Sequence, residues 1–123
     1  MLASKSDTRS SDERSEEFPD HDQLAGYAQM STTPEGELVL EMLRLAVTED
    51  GTGSAAKVEG LEVLGKTGTS RLDDVQGAVF VGRVGDGDTS TWIGVSVHGV
   101  ASDAYGGSVS APAFAHIVET ALR

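Results

Sequence analysis

The chain has 123 residues, of which 38% are apolar and 5% aromatic, so it is long enough for one small domain. Its formal net charge of −11 argues against nucleic acid or an anionic membrane as a partner, because both require a cationic surface. The absence of cysteine excludes a disulfide framework and thiol chemistry. The sequence contains no apolar run long enough to span a membrane and no apolar leader segment at its N-terminus.

Residues 1–33 are predicted to be a disordered tail, rich in Ser, Asp, Glu and Arg. Leu2 and Phe18 offer little to bury, so ordering the tail would cost backbone entropy without compensating contacts. A charged interaction arm is the alternative interpretation. Within the tail, residues 24–30 have the composition for one or two helical turns.

A helix is predicted from Glu35 to Thr48, with Thr33 as its N-cap and Pro34 at its first position. The glycines that follow Thr48 favour a C-cap and a loop. A helix with so wide an apolar surface is expected to be buried on more than one side. The apolar positions are Leu38, Val39, Met42, Leu43, Leu45 and Ala46.

The loop after this helix contains Ser54-Ala55-Ala56-Lys57, which matches the S-x-x-K pattern of penicillin-recognising enzymes. In that pattern the serine and lysine face each other one turn apart on a helix. Gly53 precedes this segment and Gly60 ends it within a turn, so we expect a chance match in a loop. The segment also lies only nine residues before Lys66.

The most informative stretch is Gly65-Lys66-Thr67-Gly68-Thr69-Ser70, which follows a short apolar run. A lysine and two threonines on an extended segment would form a cationic, hydroxyl-rich edge suited to a carboxylate. Residues 60–67 also satisfy the P-loop pattern G-x-x-x-x-G-K-[ST]. A P-loop requires a helix at its Lys-Ser/Thr, and Gly68 opposes one here, so the extended interpretation is favoured.

Two strands and a helix are predicted after this stretch. Residues 77–83 form a buried strand, residues 85–88 a turn, and Thr91 to His98 the next strand, with short connections that imply antiparallel pairing. Ser110 is expected to cap a final amphipathic helix. The predicted fold class is α+β, a three-stranded antiparallel sheet with flanking N-terminal and C-terminal helices.

The remaining polar residues give no second constellation. His98 at a strand end has no visible partner, and His21 and His116 lack the spacing of metal ligands, so no metal and no cofactor are expected. Trp92 is interpreted as sheet packing, and Asp73-Asp74 as a solvated turn within a polar connection over residues 71–76.

Taken together, residues 38–123 resemble the C-terminal third of a class B penicillin-binding protein, a peptidoglycan D,D-transpeptidase. The resemblance implies a partial penicillin-binding transpeptidase fold over residues 34–123. It also implies that the family's partners, a peptidoglycan stem peptide or a β-lactam, would be bound if the rest of such a domain were supplied. The motifs that carry it are Gly51-Thr52-Gly53, Gly65-Lys66-Thr67-Gly68-Thr69, Phe80-Val81-Gly82, Tyr105-Gly106-Gly107 and Ala111-Pro112.

The resemblance also implies roles for individual residues. Lys66 would be the catalytic cation of the K-T-G motif, and the Thr67 and Thr69 hydroxyls would hold the substrate carboxylate. The Thr69 amide would be one oxyanion-hole donor. Gly68 would leave space for a peptide lying alongside the strand as an added strand.

Two departures from the family pattern bear on activity. The family's serine nucleophile lies far upstream of K-T-G, in chain that this sequence does not contain, and the Ser-x-Asn motif needs an asparagine that the sequence lacks. We therefore expect inactivity alone, an open sheet edge along Thr91 to His98, an under-covered first helix, and self-association. A non-catalytic interaction module is the alternative. The family is extracytoplasmic and membrane-anchored, whereas this sequence as written would be cytoplasmic or of unknown location.

Overall fold

The computed structural model describes residues 32–86 and 89–122. The chain divides into two compact units, Met1–Glu37 and Leu38–Arg123. Only residues 32–37 of the first unit are described. The predictions of a tail and of helical turns at residues 24–30, and the interpretation of His21, fall on residues outside the described ranges.

Helix α1 spans Pro34–Leu45. Its start is the predicted one, because the Gly36 amide donates a 3.0 Å hydrogen bond to Thr33 Oγ1 and so satisfies an N-terminal amide that has no partner within the helix. The predicted end at Thr48 is wrong. The amides of Val47 and Thr48 bond to carbonyls only three residues back, which tightens the chain into a turn after Leu45.

The expectation that α1 is buried on more than one side is also wrong. None of its residues is buried. Leu40 and Leu43 are half-buried. The other large apolar side chains retain half or more of their exposure: Leu38 63%, Val39 52%, Met42 61% and Leu45 56%. The separate expectation of an under-covered first helix is thereby confirmed.

Three antiparallel strands form the sheet: β1 (Val63–Leu72), β2 (Val75–Val84) and β3 (Thr91–Val100). Their order is β1-β2-β3, so within the described ranges β1 and β3 are both edge strands. With α1 before the sheet and helix α2 (Ser110–Ala121) after it, the α+β prediction is confirmed, as is the open edge of β3.

The connection between β1 and β2 is much shorter than predicted. Instead of a polar link over residues 71–76, the strands continue to Leu72 and resume at Val75. The two turn residues, Asp73 and Asp74, have φ of 50° and 47°. Two residues with positive φ give the hairpin turn whose twist matches the strands. Asp73-Asp74 is a turn, as predicted, but without the usual Asn-Gly or Asp-Gly signal the sequence did not predict that the connection is this short.

The hydrophobic core lies between one face of the sheet and α2. At its centre the rings of Phe80 and Phe114 meet edge to face with centroids 4.8 Å apart, a preferred aromatic geometry. The opposite face is more open: Val81 is 45% and Trp92 55% exposed, so Trp92 packs less than predicted. The buried cluster comprises Val47, Ala56, Val58, Val63, Phe80, Val84, Ala111, Phe114 and Val118.

Ser110 does not cap α2. The N-cap position is Val109, which makes no side-chain capping bond. The Ser110 hydroxyl is instead fully buried and donates a 2.8 Å hydrogen bond to the carbonyl of Ala78 in β2. This bond fastens the start of α2 to the sheet. No helix within residues 32–86 or 89–122 has the length and apolarity needed to cross a membrane.

Candidate functional site

The four predicted site residues lie together on an edge strand. Lys66, Thr67, Gly68 and Thr69 occupy the middle of β1, which pairs with β2 and has no other strand beside it in the described part of the chain. The prediction that this stretch runs extended along a sheet margin is confirmed. The site is therefore an open strand edge.

The register determines which backbone groups face outward. The Gly85 amide donates a 3.0 Å hydrogen bond to the carbonyl of Glu62, the residue opposite it just before β1 begins. Bonded and non-bonded pairs alternate along an antiparallel ladder, so Gly68 falls among the residues bonded to β2. The amides and carbonyls of Thr67 and Thr69 consequently point away from β2, toward the open edge.

Side chains add charge and hydroxyl groups to this edge. Lys66 Nζ donates a 2.9 Å hydrogen bond to the outward-facing carbonyl of Thr67, which holds the ammonium at the open side of β1. Thr67 Oγ1 lies 2.8 Å from Thr52 Oγ1 in the loop before β1. Lys66 and Thr69 are exposed. An ammonium, hydroxyls and peptide N–H groups are thus presented along one short edge.

The backbone of Gly68 is covered closely by Gly106, whereas the space where a Gly68 side chain would project is open. A Cβ at Gly106 would lie 2.3 Å from the Val79 carbonyl oxygen and 2.7 Å from that of Gly68, so only glycine permits this approach. A Cβ at Gly68 would meet only Val79 Cβ, at 3.8 Å. Sequence reasoning treated Tyr105-Gly106-Gly107 as a loop and did not predict this contact. Its signal was the double glycine.

The geometry rules out the P-loop interpretation. Gly65, Lys66 and Thr67 all lie within the β1 ladder, and no helix begins there. Gly65 serves the core instead: a Cβ at this position would lie 2.4 Å from the Phe80 ring. The glycine before the lysine is explained by packing and needs no phosphate.

The S-x-x-K match forms one isolated turn, as expected. Ser54–Ala56 is a single 3₁₀ turn, which the Lys57 amide closes with a 3.2 Å bond to the carbonyl of Ser54. Ala56 is fully buried in the core, whereas Lys57 is exposed. The segment has neither the length nor the regular helix that would set a serine and a lysine facing each other.

One charged cluster was not predicted. Glu62 accepts hydrogen bonds from Arg83 at 3.1 Å and from Arg44 at 3.4 Å. Arg44 is also paired with Glu41, and this hydrogen bond, with help from Glu62, raises the pKa of the Arg44 guanidinium above its usual range. The cluster joins the end of α1 to the start of β1. Partly exposed pairs of this kind typically contribute no more than about 1 kcal/mol each.

Other sequence candidates lie apart from this edge. His98 is exposed and its Nε2 lies 3.1 Å from the hydroxyl of Ser96, the neighbour on the same side of β3. The described residues contain no group of three or more His, Cys, Asp or Glu side chains placed to hold a metal ion. A surface cavity of about 590 Å³ lies near the end of α1, between Arg44, Lys57 and Glu62, and none of residues 66–69 lines it.

The fold and the edge together define an α+β domain that presents a Lys-Thr-Gly-Thr strand margin. The family model of the penicillin-binding protein transpeptidase domain matches residues 29–119, well over half of the chain. The chain belongs to this family, and the resemblance noted from the sequence is confirmed. No curated protein matches the chain.

Proposed function

We propose that this chain supplies the Lys66–Thr69 wall of a peptidoglycan D,D-transpeptidase active site. In that reaction a serine hydroxyl attacks the D-alanyl-D-alanine carbonyl of a stem peptide, forms an ester and releases the terminal D-alanine. An amine of a second stem peptide then attacks the ester, forms the cross-linking amide and frees the serine. The observation that carries the proposal is the open β1 edge, with an ammonium and outward-facing threonine groups.

Each group on the edge has a role in this chemistry. The Thr67 and Thr69 hydroxyls donate to the terminal carboxylate of the stem peptide, and the Lys66 ammonium supplies positive charge beside it. The outward-facing Thr69 amide donates to the oxyanion that develops on the attacked carbonyl. Loss of one such donor typically lowers the rate about 10²- to 10³-fold.

The backbone of β1 provides the register for the peptide. An extended substrate lies along the free edge as an added strand and bonds to the outward amides and carbonyls of Thr67 and Thr69. Gly68 has no side chain in front of the sheet, and its Cβ position has no close contact but Val79. A β-lactam, which carries an acyl group and a carboxylate, would occupy the same edge.

The nucleophile is not proposed to come from Ser54. That serine lies in a one-turn 3₁₀ segment, in which Ala55 is exposed and Ala56 is buried in the core. The proposal therefore assigns the serine to polypeptide other than these 123 residues, and the isolated chain is inactive in acyl transfer.

A non-catalytic interaction module is the second candidate. It is favoured by the exposed apolar side chains of α1 and by the outer edge of β3, which pairs with no other strand in residues 32–86 and 89–122. Exposed apolar patches and bare strand edges are typical binding surfaces. On this view the same surfaces hold a second copy of the chain or a penicillin-binding partner without catalysis.

Covalent labelling with a fluorescent penicillin separates the two candidates. The chain alone should remain unlabelled, and co-expression with the polypeptide encoded immediately upstream should give a labelled species. Labelling of the isolated chain would refute the assignment of the nucleophile to other polypeptide. A stable complex that forms on co-expression and never labels would favour the interaction module.

A further inference from the structure

Thr52 is held at the active-site edge although it lies outside the sheet. The Gly53 amide donates a 2.8 Å bond to the Ala46 carbonyl, which fixes the loop after α1. On the other side, a Cβ at Gly107 would lie 2.3 Å from the Thr52 carbonyl oxygen. A backbone hydrogen bond and a close approach that requires glycine thus fix the backbone on both sides of Thr52.

The clamped side chain reaches one site residue. Thr52 Oγ1 lies 2.8 Å from Thr67 Oγ1, and the Thr52 side chain is exposed. An exposed hydroxyl that ordinarily bonds to water is here bonded to another hydroxyl fifteen residues along the chain. Neither threonine belongs to the buried core cluster, so the contact can orient the Thr67 side chain without contributing to the core.

The numbers of donors and acceptors on the Thr52 and Thr67 hydroxyls limit how the two can hydrogen-bond. Each hydroxyl has one proton and can accept two hydrogen bonds. When Thr52 donates to Thr67, the Thr67 proton is free to point toward the open edge. A carboxylate at that edge can only accept, so it selects this arrangement.

We propose that Thr52 is a positioning residue, which donates to Thr67 and so aims the Thr67 hydroxyl proton at the carboxylate of the acyl donor. The inference rests on the proposed function, since it requires an anionic ligand on the β1 edge. It makes the loop between α1 and β1 a determinant of selectivity for carboxylate-bearing ligands.

The test compares two probes, N-acetyl-D-alanyl-D-alanine and its C-terminal carboxamide, titrated into the full 123-residue chain and followed by the backbone amide resonances of Thr67–Thr69. Thr52→Val removes the hydroxyl at constant shape, and Thr52→Ser retains it. Thr52→Ala is the second variant if the valine form fails to fold. The Thr67 χ1 rotamer is measured in each ligand-free protein.

We expect the wild type to bind the acid more tightly than the carboxamide. Thr52→Val should weaken acid binding about tenfold, a typical loss for one hydrogen bond to a charged group, and leave carboxamide binding unchanged. Thr52→Ser should restore the preference. In Thr52→Val, and in Thr52→Ala if it is used, Thr67 should average over several rotamers.

Three contrary results have different meanings. If the wild type prefers the acid and Thr52→Val keeps both that preference and a single Thr67 rotamer, the inference is overturned while the proposed function stands. If the wild type shows no preference for the acid, the proposed function fails and the inference fails with it. Equal weakening of acid and carboxamide binding would mark a structural role and would also overturn the inference.

Discussion

Gly106 packs against the backbone of Gly68, on the side away from the direction in which a Gly68 side chain would project. The loop before α2 therefore packs against the backbone of the K-T-G strand, while the space on the Cβ side of Gly68 stays open. Two glycines with different surroundings meet at this point: Gly106 has no room for a side chain, whereas a Cβ at Gly68 would lie 3.8 Å from its nearest neighbour, Val79 Cβ.

Gly106→Ala should destabilise the domain. The new methyl would lie 2.3 Å from the Val79 carbonyl oxygen and 2.7 Å from that of Gly68, and both are backbone atoms that cannot rotate away. We expect a loss of about 1–3 kcal/mol in the free energy of unfolding, measured by urea denaturation. The matched control is Gly94→Ala in β3, whose methyl would come no closer than 3.9 Å to Val81. Equal stability of the two variants would contradict the close approach.

Substitutions at two adjacent residues of β2 test which face of the sheet packs against α2. Phe80 is fully buried against Phe114, whereas Val81 is 45% exposed on the opposite face. Phe80→Ala should cost about 3–5 kcal/mol, a large share of the stability of a small domain. Val81→Ala should cost far less. Calorimetric melting measures both, and similar losses would mean that the sheet face is wrongly assigned.

The turn of the β1–β2 hairpin offers a stabilising change. Asp74 has φ of 47°, a conformation that glycine adopts without strain. Asp74→Gly should raise the free energy of unfolding by about 0.5–1 kcal/mol, because Asp-Gly suits a turn with two positive φ values. Asp103→Gly, at a loop position without positive φ, is the control and should not stabilise. A lower melting temperature for Asp74→Gly would contradict the turn geometry.

The exposed side of α1 is proposed to drive self-association. Leu38 and Met42 are 63% and 61% exposed and lie one helical turn apart. Leu38→Glu combined with Met42→Glu should lower the weight-average mass in sedimentation experiments at high protein concentration. The control is Leu72→Glu in the β1–β2 hairpin, which replaces an apolar side chain that is 76% exposed but lies outside α1. It should leave the weight-average mass unchanged. A wild-type chain that stays monomeric at all concentrations would contradict this proposal.

Most of the fold could be predicted from local patterns. The alternation of Ile93, Val95 and Val97 with other residue types indicated a strand whose one side is partly buried, and Thr33 with Pro34 indicated the start of α1. The extended form of residues 65–70 followed from the glycine after Thr67. These signals are local, and the structure agrees with them.

The predictions that were wrong concerned contacts between residues far apart in the sequence. The burial of α1 was misjudged because an apolar pattern states what a helix can bury and says nothing of whether a partner is present. Ser110 was assigned as a cap, but the Ala78 carbonyl, 32 positions away, accepts its proton. The Thr52–Thr67 and Gly106–Gly68 contacts likewise join segments that are adjacent only after folding, so sequence spacing could not reveal them.

The central claim is that the Lys66–Thr69 edge, and not the S-x-x-K segment, receives the anionic acyl donor. The most direct measurement is labelling with a fluorescent penicillin after the chain has been co-expressed with the polypeptide encoded immediately upstream. The 123-residue chain carries either Lys66→Met or Lys57→Met. Both lysines are exposed, so the two variants lose the same charge from surface positions. We predict that Lys66→Met lowers the labelling rate about 10²-fold or more and that Lys57→Met leaves it unchanged. Retained labelling in Lys66→Met together with loss in Lys57→Met would contradict the account.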